Sequence, residues 1–445
     1  MRPILIRNGS IITGKEQFRT DLLFEGGKIS AMGNFLSDSF MDAEVIDALG
    51  KLILPGGIDP HVHLALPTPA GNSSDDFISG SKSALAGGTT TFIDFVTPRR
   101  GQSLEEAYRL RKAETAASII NCWLHLGISE WNTSIASEII PMIEMKGIRS
   151  FKAYLAYRES IGIGYNELEE LMRIAGSAGA LVMVHCEDGE WISQIQQEFV
   201  KEGKLRPAYH AASRPPLAEI RAIEKVVELS AKTGCEAYIV HISTRKGAEM
   251  VGAAKKSGIR VYGETCPQYL LLDDSVYGLD RDDMDVLPYV ISPPIRGKSD
   301  QEGLWEALAD GSIDVVSTDH CPFNLHGQKD QGINNFTRIP NGAGGIEHRL
   351  SLLYTYGVLP GRISLYRFME LVSANPAEIF GLGMTKGRIK PGYDADIVIW
   401  DPDFSGTISV KNHIQHCDSE IYEGIKVQGR AETVIVDGEI VNRKS

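Results

Sequence analysis

Residues 58–67 read IDPHVHLALP and place two histidines, His61 and His63, at the end of an apolar, strand-like run. Alternate residues of a strand point to the same side, so the two imidazoles would project together. A pair of hydrogen-bonded core histidines would also explain this stretch, which alone does not decide between packing and function. Further strand-like runs along the chain also end in polar residues, and they provide the context.

The middle of the chain alternates strand-like and helix-like segments, which predicts βα units and a parallel sheet. Helical runs such as YNELEELMRIAGSAG lie between the strand candidates, and several end in glycine, as helix C-caps do. The strand candidates number eight: GGIDPHVHL, TTTFIDFV, INCWLHLGI, IRSFKAYLAY, ALVMVHCED, AYIVHIS, RVYGETCPQYL and DVVSTDHCPF. This pattern predicts an α/β fold, a (β/α)8 TIM barrel.

Short alternating runs at both ends of the chain predict a second, smaller domain. Residues 2–54 hold several such runs, and similar ones return only near the C-terminus, as in ADIVIWDP and AETVIVDGEIVN. Gly and polar turns separate them, which is typical of antiparallel sheets. We therefore expect residues 1–54 and 386–445 to form one β-sandwich domain, and residues 55–385 to form the barrel.

The composition narrows the class of protein. A chain of 445 residues with 43% hydrophobic and 23% charged residues is typical of a soluble protein with a large domain and an accessory one. The net charge of −13 argues against a nucleic-acid partner or an anionic membrane surface. The six cysteines form no CxxC pair, the first residues lack the pattern of a signal peptide, and no apolar run could span a bilayer. We expect a cytoplasmic protein with no membrane partner.

Polar residues recur at the carboxyl ends of the predicted strands, where TIM barrels carry their chemistry. Besides His61 and His63 of strand 1, the set comprises Lys152 of strand 4, His185 of strand 5, His241 of strand 6 and Asp319 of strand 8. Each alone could be a core residue or a helix cap. Together, four imidazoles and a carboxylate suit Zn²⁺ or another first-row divalent ion.

Lys152 is the unusual member of this set, because an ammonium group has no lone pair and would repel a metal. Burial inside a barrel would lower its pKa and favour the neutral amine, which can add CO₂ to form a carbamate. A carbamate has two oxygens and could bridge two cations. A salt-bridged or snorkelling lysine is the alternative.

Longer motifs accompany these residues along nearly the whole chain: GGIDPHVH (56–63), FKAYLAY (151–157), VHCED (184–188), VHIST (240–244), GETCPQYL (263–270), STDHCPF (317–323), IPNGAGGIEHRL (339–350) and KPGYDADIVIWDPD (390–403). This combination resembles the hydantoinase/dihydropyrimidinase family of the amidohydrolase superfamily. The resemblance implies hydrolysis of the cyclic amide bond of a dihydropyrimidine or 5-substituted hydantoin to an N-carbamoyl amino acid, through a hydroxide that bridges two metal ions, usually zinc.

The resemblance also implies individual roles. Two groups of side chains would hold the metals: His61, His63 and Asp319 for one ion, His185 and His241 for the other, with N6-carboxylysine at Lys152 bridging both. Tyr157 would stabilise the oxyanion, and Asp319 would act as the base and then the acid. Backbone groups of Ser292 and Asn341 would bind the cyclic amide of the substrate.

The ring that binds has to be inferred from other residues. Dihydroorotases resemble this chain around the first histidines but usually place an arginine directly after the HxH segment to hold a carboxylate. Here no basic residue occurs between His63 and Lys82, which favours a small neutral cyclic ureide or amide. We expect loops 64–73 and 154–163 to form a largely apolar pocket for the C5 substituent, with these residues: Leu64, Leu66, Pro67, Tyr154 and Ile161.

Two alternatives stay open at this point. A dihydroorotase or an allantoinase would use the same metal core on a related ring. A non-catalytic scaffold homologue is the alternative of another class, since some members of the family have lost metal ligands, although all six ligand positions are filled here. Relatives are commonly tetramers, so we expect a homo-oligomer, either a tetramer or a dimer.

Overall fold

The central sheet of the computed structural model, which describes residues 2–13, 16–34 and 42–443, contains eight parallel strands in sequence order. We label them β1 to β8: Gly57–Val62, Thr89–Val96, Asn121–Gly127, Ser150–Tyr154, Leu181–His185, Ala237–Ile239, Val261–Thr265 and Val315–Val316. A parallel bridge between Val62 and His320 joins the segment after β8 to β1. The predicted (β/α)8 barrel is therefore confirmed.

Helices lie between and after the strands: Phe77–Ala86, Leu104–Glu114, Thr133–Lys146, Tyr165–Ser177, Gly189–Lys201, Tyr209–Ala212, Pro216–Thr233, Arg245–Lys256, Pro267–Leu271, Asp283–Val286, Lys298–Asp310, Arg349–Leu353, Leu365–Met369 and Asn375–Ile379. Gly147 and Gly234 end two of them with φ values of 70°, the left-handed C-cap conformation that glycine adopts most readily. None of the described helices is both long and apolar enough to cross a membrane.

The seam between β8 and β1 depends on side chains, because β8 has only two residues. The buried guanidinium of Arg349 donates to the carbonyls of Ile58 (2.8 Å) and Val316 (3.1 Å), one on each side of the seam. The Thr318 hydroxyl donates to the Asp59 carboxylate at 2.6 Å. These contacts close the barrel where backbone pairing is sparse, and they align the first histidines with Asp319.

Two further sheets lie beside the barrel; the six-stranded one combines strands from both ends of the chain, and the four-stranded one consists of N-terminal strands. The six-stranded sheet has the order Glu439–Arg443, Lys426–Val436, Ile397–Thr407, Leu52–Pro55, Ser10–Thr13 and Glu16–Arg19; the four-stranded sheet has the order Lys28–Gly33, Asp21–Glu25, Ile4–Arg7 and Glu44–Asp47. Apolar side chains of the two sheets, such as Phe24 and Ile397, share one buried cluster. The predicted sandwich from both termini is confirmed, whereas its boundaries at 54/55 and 385/386 stay predictions.

Two barrel strands are shorter than the apolar runs predict. β6 ends at Ile239 and β8 at Val316, before His241 and Asp319 are reached. Both polar residues have left-handed backbones, with φ of 39° and 51°. A strand requires negative φ, so pairing cannot continue through these positions. The residues expected to carry the chemistry therefore follow the strands instead of ending them.

Candidate active site

A cavity of about 350 Å³ opens at the carboxyl ends of the barrel strands. The structure brings to its wall the six predicted ligand residues and most of the predicted substrate contacts: His61, His63, Lys152, His185, His241, Asp319, Leu66, Pro67, Tyr154, Tyr157, Ile161, Ser292 and Asn341. These residues lie in strands β1, β4 and β5 or in segments that follow barrel strands. A single cavity therefore collects side chains that are up to 280 positions apart, from His61 to Asn341 (341 − 61).

The first group of donors surrounds the Asp319 carboxylate. Its Oδ1 lies 3.1 Å from Nε2 of His61 and 3.1 Å from Nε2 of His63. Burial alone would raise the pKa of Asp319, but the two histidines outweigh it and hold that pKa well below the usual range. Asp319 is thus a carboxylate whose oxygen points between two imidazole nitrogens.

The second group consists of His185 and His241, which face each other across the cavity floor. Nδ1 of His185 lies 3.0 Å from Nε2 of His241. Burial lowers the pKa of both rings, so the neutral imidazoles are favoured. Nδ1 of His241 is buried and finds no hydrogen-bond partner among the described residues. Neutral imidazoles with lone pairs directed at one space are suitable metal ligands.

Lys152 lines the same cavity as the two groups and is fully buried. Its Nζ has no hydrogen-bond partner in the part of the chain that the structure describes. Nζ lies 5.2 Å from the centroid of the Phe95 ring and 5.1 Å from that of the Tyr154 ring. Burial lowers the pKa of Lys152 to about 8, against the opposing effect of Asp319. An unpaired buried amine is costly unless it has a chemical role.

Two buried glutamates orient the histidines from behind, and the sequence analysis missed both. Glu264, at the end of β7, lies 2.7 Å from Nδ1 of His61 and accepts from the backbone N–H of His241. Glu187 lies 2.8 Å from Nε2 of His185 and pairs with Arg214 at 2.5 Å. Carboxylates behind ligating histidines are typical of metal sites. A signal was present, since GETC ends strand 7 as polar residues end the other strands.

Tyr157 lies in the loop after β4, and its backbone is also left-handed, with φ of 57°. The amide Nδ2 of Asn341 lies 3.5 Å from this hydroxyl. Arg100 donates to the carbonyls of Ser160 (2.7 Å) and Arg158 (2.9 Å), which anchors the loop that carries Tyr157. Strained backbone conformations at Tyr157, His241 and Asp319 cluster around the cavity, as they do at functional sites.

The structure contradicts the expectation that Leu64 lines the substrate pocket. Its side chain is fully buried in the main hydrophobic core and packs next to Gly80, and it does not line the cavity. The backbone turns after His63, where the Leu64 N–H donates to Asp94 at 2.9 Å and directs the side chain inward. Leu66, Pro67, Tyr154 and Ile161 remain in the cavity wall and make it partly apolar.

The donor set fits divalent cations. Three donor atoms, from His61, His63 and Asp319, lie within 4.8 Å of one another, and the second pair of imidazoles lies beside them. Imidazole nitrogens and a carboxylate oxygen are the ligands that zinc and similar ions prefer. The unpartnered amine of Lys152 lines the same cavity as both groups of donors.

Comparisons with known proteins agree along the whole chain. Residues 52–441 match the model of the amidohydrolase family. A D-hydantoinase of Geobacillus stearothermophilus is 41% identical over 440 residues, covering 99% of this chain and 93% of that protein. A dihydropyrimidinase of Dictyostelium discoideum is 38% identical over 441 residues, covering 98% and 87%. The crystal structure of a dihydropyrimidinase from Brevibacillus agri NCHU1002 has a TM-score of 0.96 and 39% identity, covering 99% and 95%.

Proposed function

Because this chain belongs to the hydantoinase/dihydropyrimidinase family of the amidohydrolase superfamily, we propose that it is a metal-dependent hydrolase of cyclic amides. It opens the ring amide of a dihydropyrimidine or a 5-substituted hydantoin and releases an N-carbamoyl amino acid. The observation that carries this proposal is the buried, unpartnered amine of Lys152 in the cavity that both groups of predicted ligands line.

The family implies divalent metal ions, and we propose two per chain, both zinc. His61, His63 and Asp319 would hold one, and His185 and His241 would hold the other. The neutral amine of Lys152 would add to CO₂: the N–C bond forms as one C–O π bond opens, a proton leaves the nitrogen, and the resulting carbamate would supply anionic oxygen ligands. When bound, the ions polarise the ring carbonyl and lower the pKa of a water molecule.

The protein's own groups position the ring and move the proton. Backbone groups of Ser292 and Asn341 hold the cyclic amide, and the Tyr157 hydroxyl donates to the charge that develops on the carbonyl oxygen. The Asp319 carboxylate accepts the proton of the attacking water and delivers it to the leaving ring nitrogen. The water molecule thus gives its OH to the carbonyl carbon and a proton to the ring nitrogen as the C–N bond breaks.

A neutral ring is the substrate that the cavity favours. Among the described residues of the cavity wall, Lys152 is the only lysine or arginine. An anionic ring substituent would therefore lack a basic partner, which counts against dihydroorotate. Allantoin remains an alternative substrate, because its ring is neutral.

An activity panel tests the substrate proposal. We expect the highest kcat/KM with dihydrouracil or a 5-substituted hydantoin, and lower values with allantoin and dihydroorotate. Both enantiomers of the hydantoin are measured. Dihydroorotate as the best substrate would overturn the ranking.

Metal analysis separates the enzyme from a non-catalytic scaffold homologue. We expect at least two divalent ions per chain after growth with zinc and bicarbonate. Less than one ion per chain, together with no turnover on the panel, would favour the scaffold.

We further propose a cytoplasmic homo-oligomer, a dimer or tetramer; the six cysteines are all free, as expected in a reducing compartment.

A further inference from the structure

A second cluster of metal-type donors lies outside the cavity. His348 precedes the helix Arg349–Leu353, whereas His413 and Glu420 belong to the segment 408–425 between two strands of the six-stranded sheet. One donor atom from each of the three lies within 4.8 Å of the others. None of the three lines the active-site cavity. The cluster therefore joins the C-terminal segment to the barrel at a place that the proposed reaction does not use.

The Glu420 carboxylate is the centre of this cluster, and its side chain is 0% exposed. Its Oε2 lies 3.0 Å from Nε2 of His348 and 3.2 Å from Nδ1 of His413. Among the described residues, the ion-pair partners of Glu420 are these two histidines, with no lysine or arginine. A buried carboxylate is costly unless a positive charge compensates it.

Protons alone do not satisfy the contacts around His413. Nε2 of the Gln415 amide lies 2.7 Å from Oε2 of Glu420 and 3.0 Å from Nδ1 of His413. If Nδ1 carries a proton, two donors face each other at 3.0 Å. If it does not, its lone pair faces a carboxylate oxygen at 3.2 Å. With Glu420 ionised, one of the contacts is therefore mismatched in either protonation state of His413.

Two further observations indicate a cation at this place. Nε2 of His413 lies 2.9 Å from the carbonyl of Cys417, and a proton on Nε2 leaves the Nδ1 lone pair free, as in ligating histidines. The Gln415 side chain is 97% buried (3% exposed), yet its Oε1 has no partner among the residues that the structure describes. Rotating the amide by 180° would turn this oxygen towards the cluster, a change that amide geometry allows.

A cluster of carboxylates elsewhere in the molecule shows how the chain satisfies such a group without an ion. Asp394, Asp396 and Asp437 also converge, but Lys386 lies between them, with Nζ 3.1 Å, 2.6 Å and 3.9 Å from their oxygens. The histidine cluster has no equivalent lysine among the described residues.

We propose that His348, His413, Glu420 and the rotated amide of Gln415 bind a further zinc ion or a similar first-row divalent cation. Zinc bonds of about 2.0–2.1 Å in a tetrahedron separate neighbouring ligand atoms by about 3.3 Å. The contacts of 2.7–3.2 Å need to widen by about 0.1–0.6 Å to reach this separation. The ion fastens the segment 408–425 to the loop 339–348, which carries Asn341 at its other end.

Cobalt binding to a protein with an emptied active site tests this proposal. In the double variant His61→Ala/His185→Ala, we expect one Co²⁺ per chain by equilibrium dialysis, with visible d–d absorption that Zn²⁺ abolishes. Adding Glu420→Gln should weaken the binding by about 100-fold or more, because a ligand charge is lost. Adding Glu423→Gln, the same change three residues away, should leave the binding unchanged.

A second substitution guards against misfolding. His413→Gln in the same background should also abolish the visible bands, and circular dichroism checks that each variant is folded. The proposal is overturned if the double variant binds no Co²⁺. It is equally overturned if the bands persist in both folded variants, Glu420→Gln and His413→Gln. Neither outcome depends on turnover, so the result is independent of the proposed function.

Discussion

Lys152 and Lys386 are both buried, 0% and 6% exposed, but their surroundings have opposite effects on them. Burial alone would lower the pKa of each. For Lys386, the Asp396 and Asp394 carboxylates outweigh burial and raise the pKa, whereas burial lowers the pKa of Lys152 to about 8. Lys386 is held in an ion pair, and the Lys152 amine has no hydrogen-bond partner among the described residues. The charged partners of a buried lysine therefore decide, more than its burial does, whether its pKa rises or falls.

Replacing Lys152 should have the largest effect. Lys152→Met removes the amine that forms the carbamate, so we expect turnover to be abolished and metal content to fall. The metal-free protein should be at least as stable as wild type, because an unpaired buried amine is replaced by an apolar side chain. Kinetics, metal analysis and urea unfolding measure these three results. Wild-type turnover in Lys152→Met would show that the Lys152 amine has no role in the reaction.

Tyr157→Phe tests the proposed reaction further, because it removes one hydroxyl next to the proposed metals. We expect kcat to fall by about 10²- to 10³-fold with little change in metal content, since one oxyanion donor is lost. Tyr165→Phe, the same change outside the cavity, is the matched control. Equal kcat values for Tyr157→Phe and wild type would exclude the hydroxyl from the reaction.

Lys386→Met tests whether Lys386 stabilises the fold through its ion pairs. Three carboxylates would lose their shared partner, and the buried Asp396 would be left unpaired. We expect the free energy of unfolding in urea to fall by about 3 kcal/mol, with kcat/KM of the folded protein unchanged. The exposed control Lys390→Met should change stability by less than about 0.5 kcal/mol. A loss of activity without a loss of stability would contradict the assignment of Lys386.

Glu264→Gln should have the smallest effect of the four. The variant keeps the shape of a side chain that contacts His61 but removes its charge. We expect metal affinity or kcat/KM to fall by about 10- to 100-fold, as for other carboxylates behind ligating histidines. Glu236→Gln, on a half-exposed neighbour at the start of β6, is the control. An unchanged metal affinity and an unchanged kcat/KM would show that Glu264 serves packing alone.

Much of the fold follows from local patterns. Alternation of apolar strands and amphipathic helices predicts βα units, and the short runs at both termini predict the sandwich. The boundaries of β6 and β8 did not follow, because left-handed backbones at His241 and Asp319 end the pairing early. Apolar runs report burial, and they do not report a change of backbone conformation inside a buried stretch.

The sequence by itself determined which residue types reach the carboxyl ends of the strands, because strand periodicity and the motifs specify them. Only the tertiary structure decided which groups face one another. It turned Leu64 into the core, placed Glu264 behind His61, gave Lys386 three carboxylates and Lys152 none, and joined His348 to Glu420 across 72 positions. The physical reason is that periodicity orients a side chain within its own element, whereas its partners depend on packing between elements.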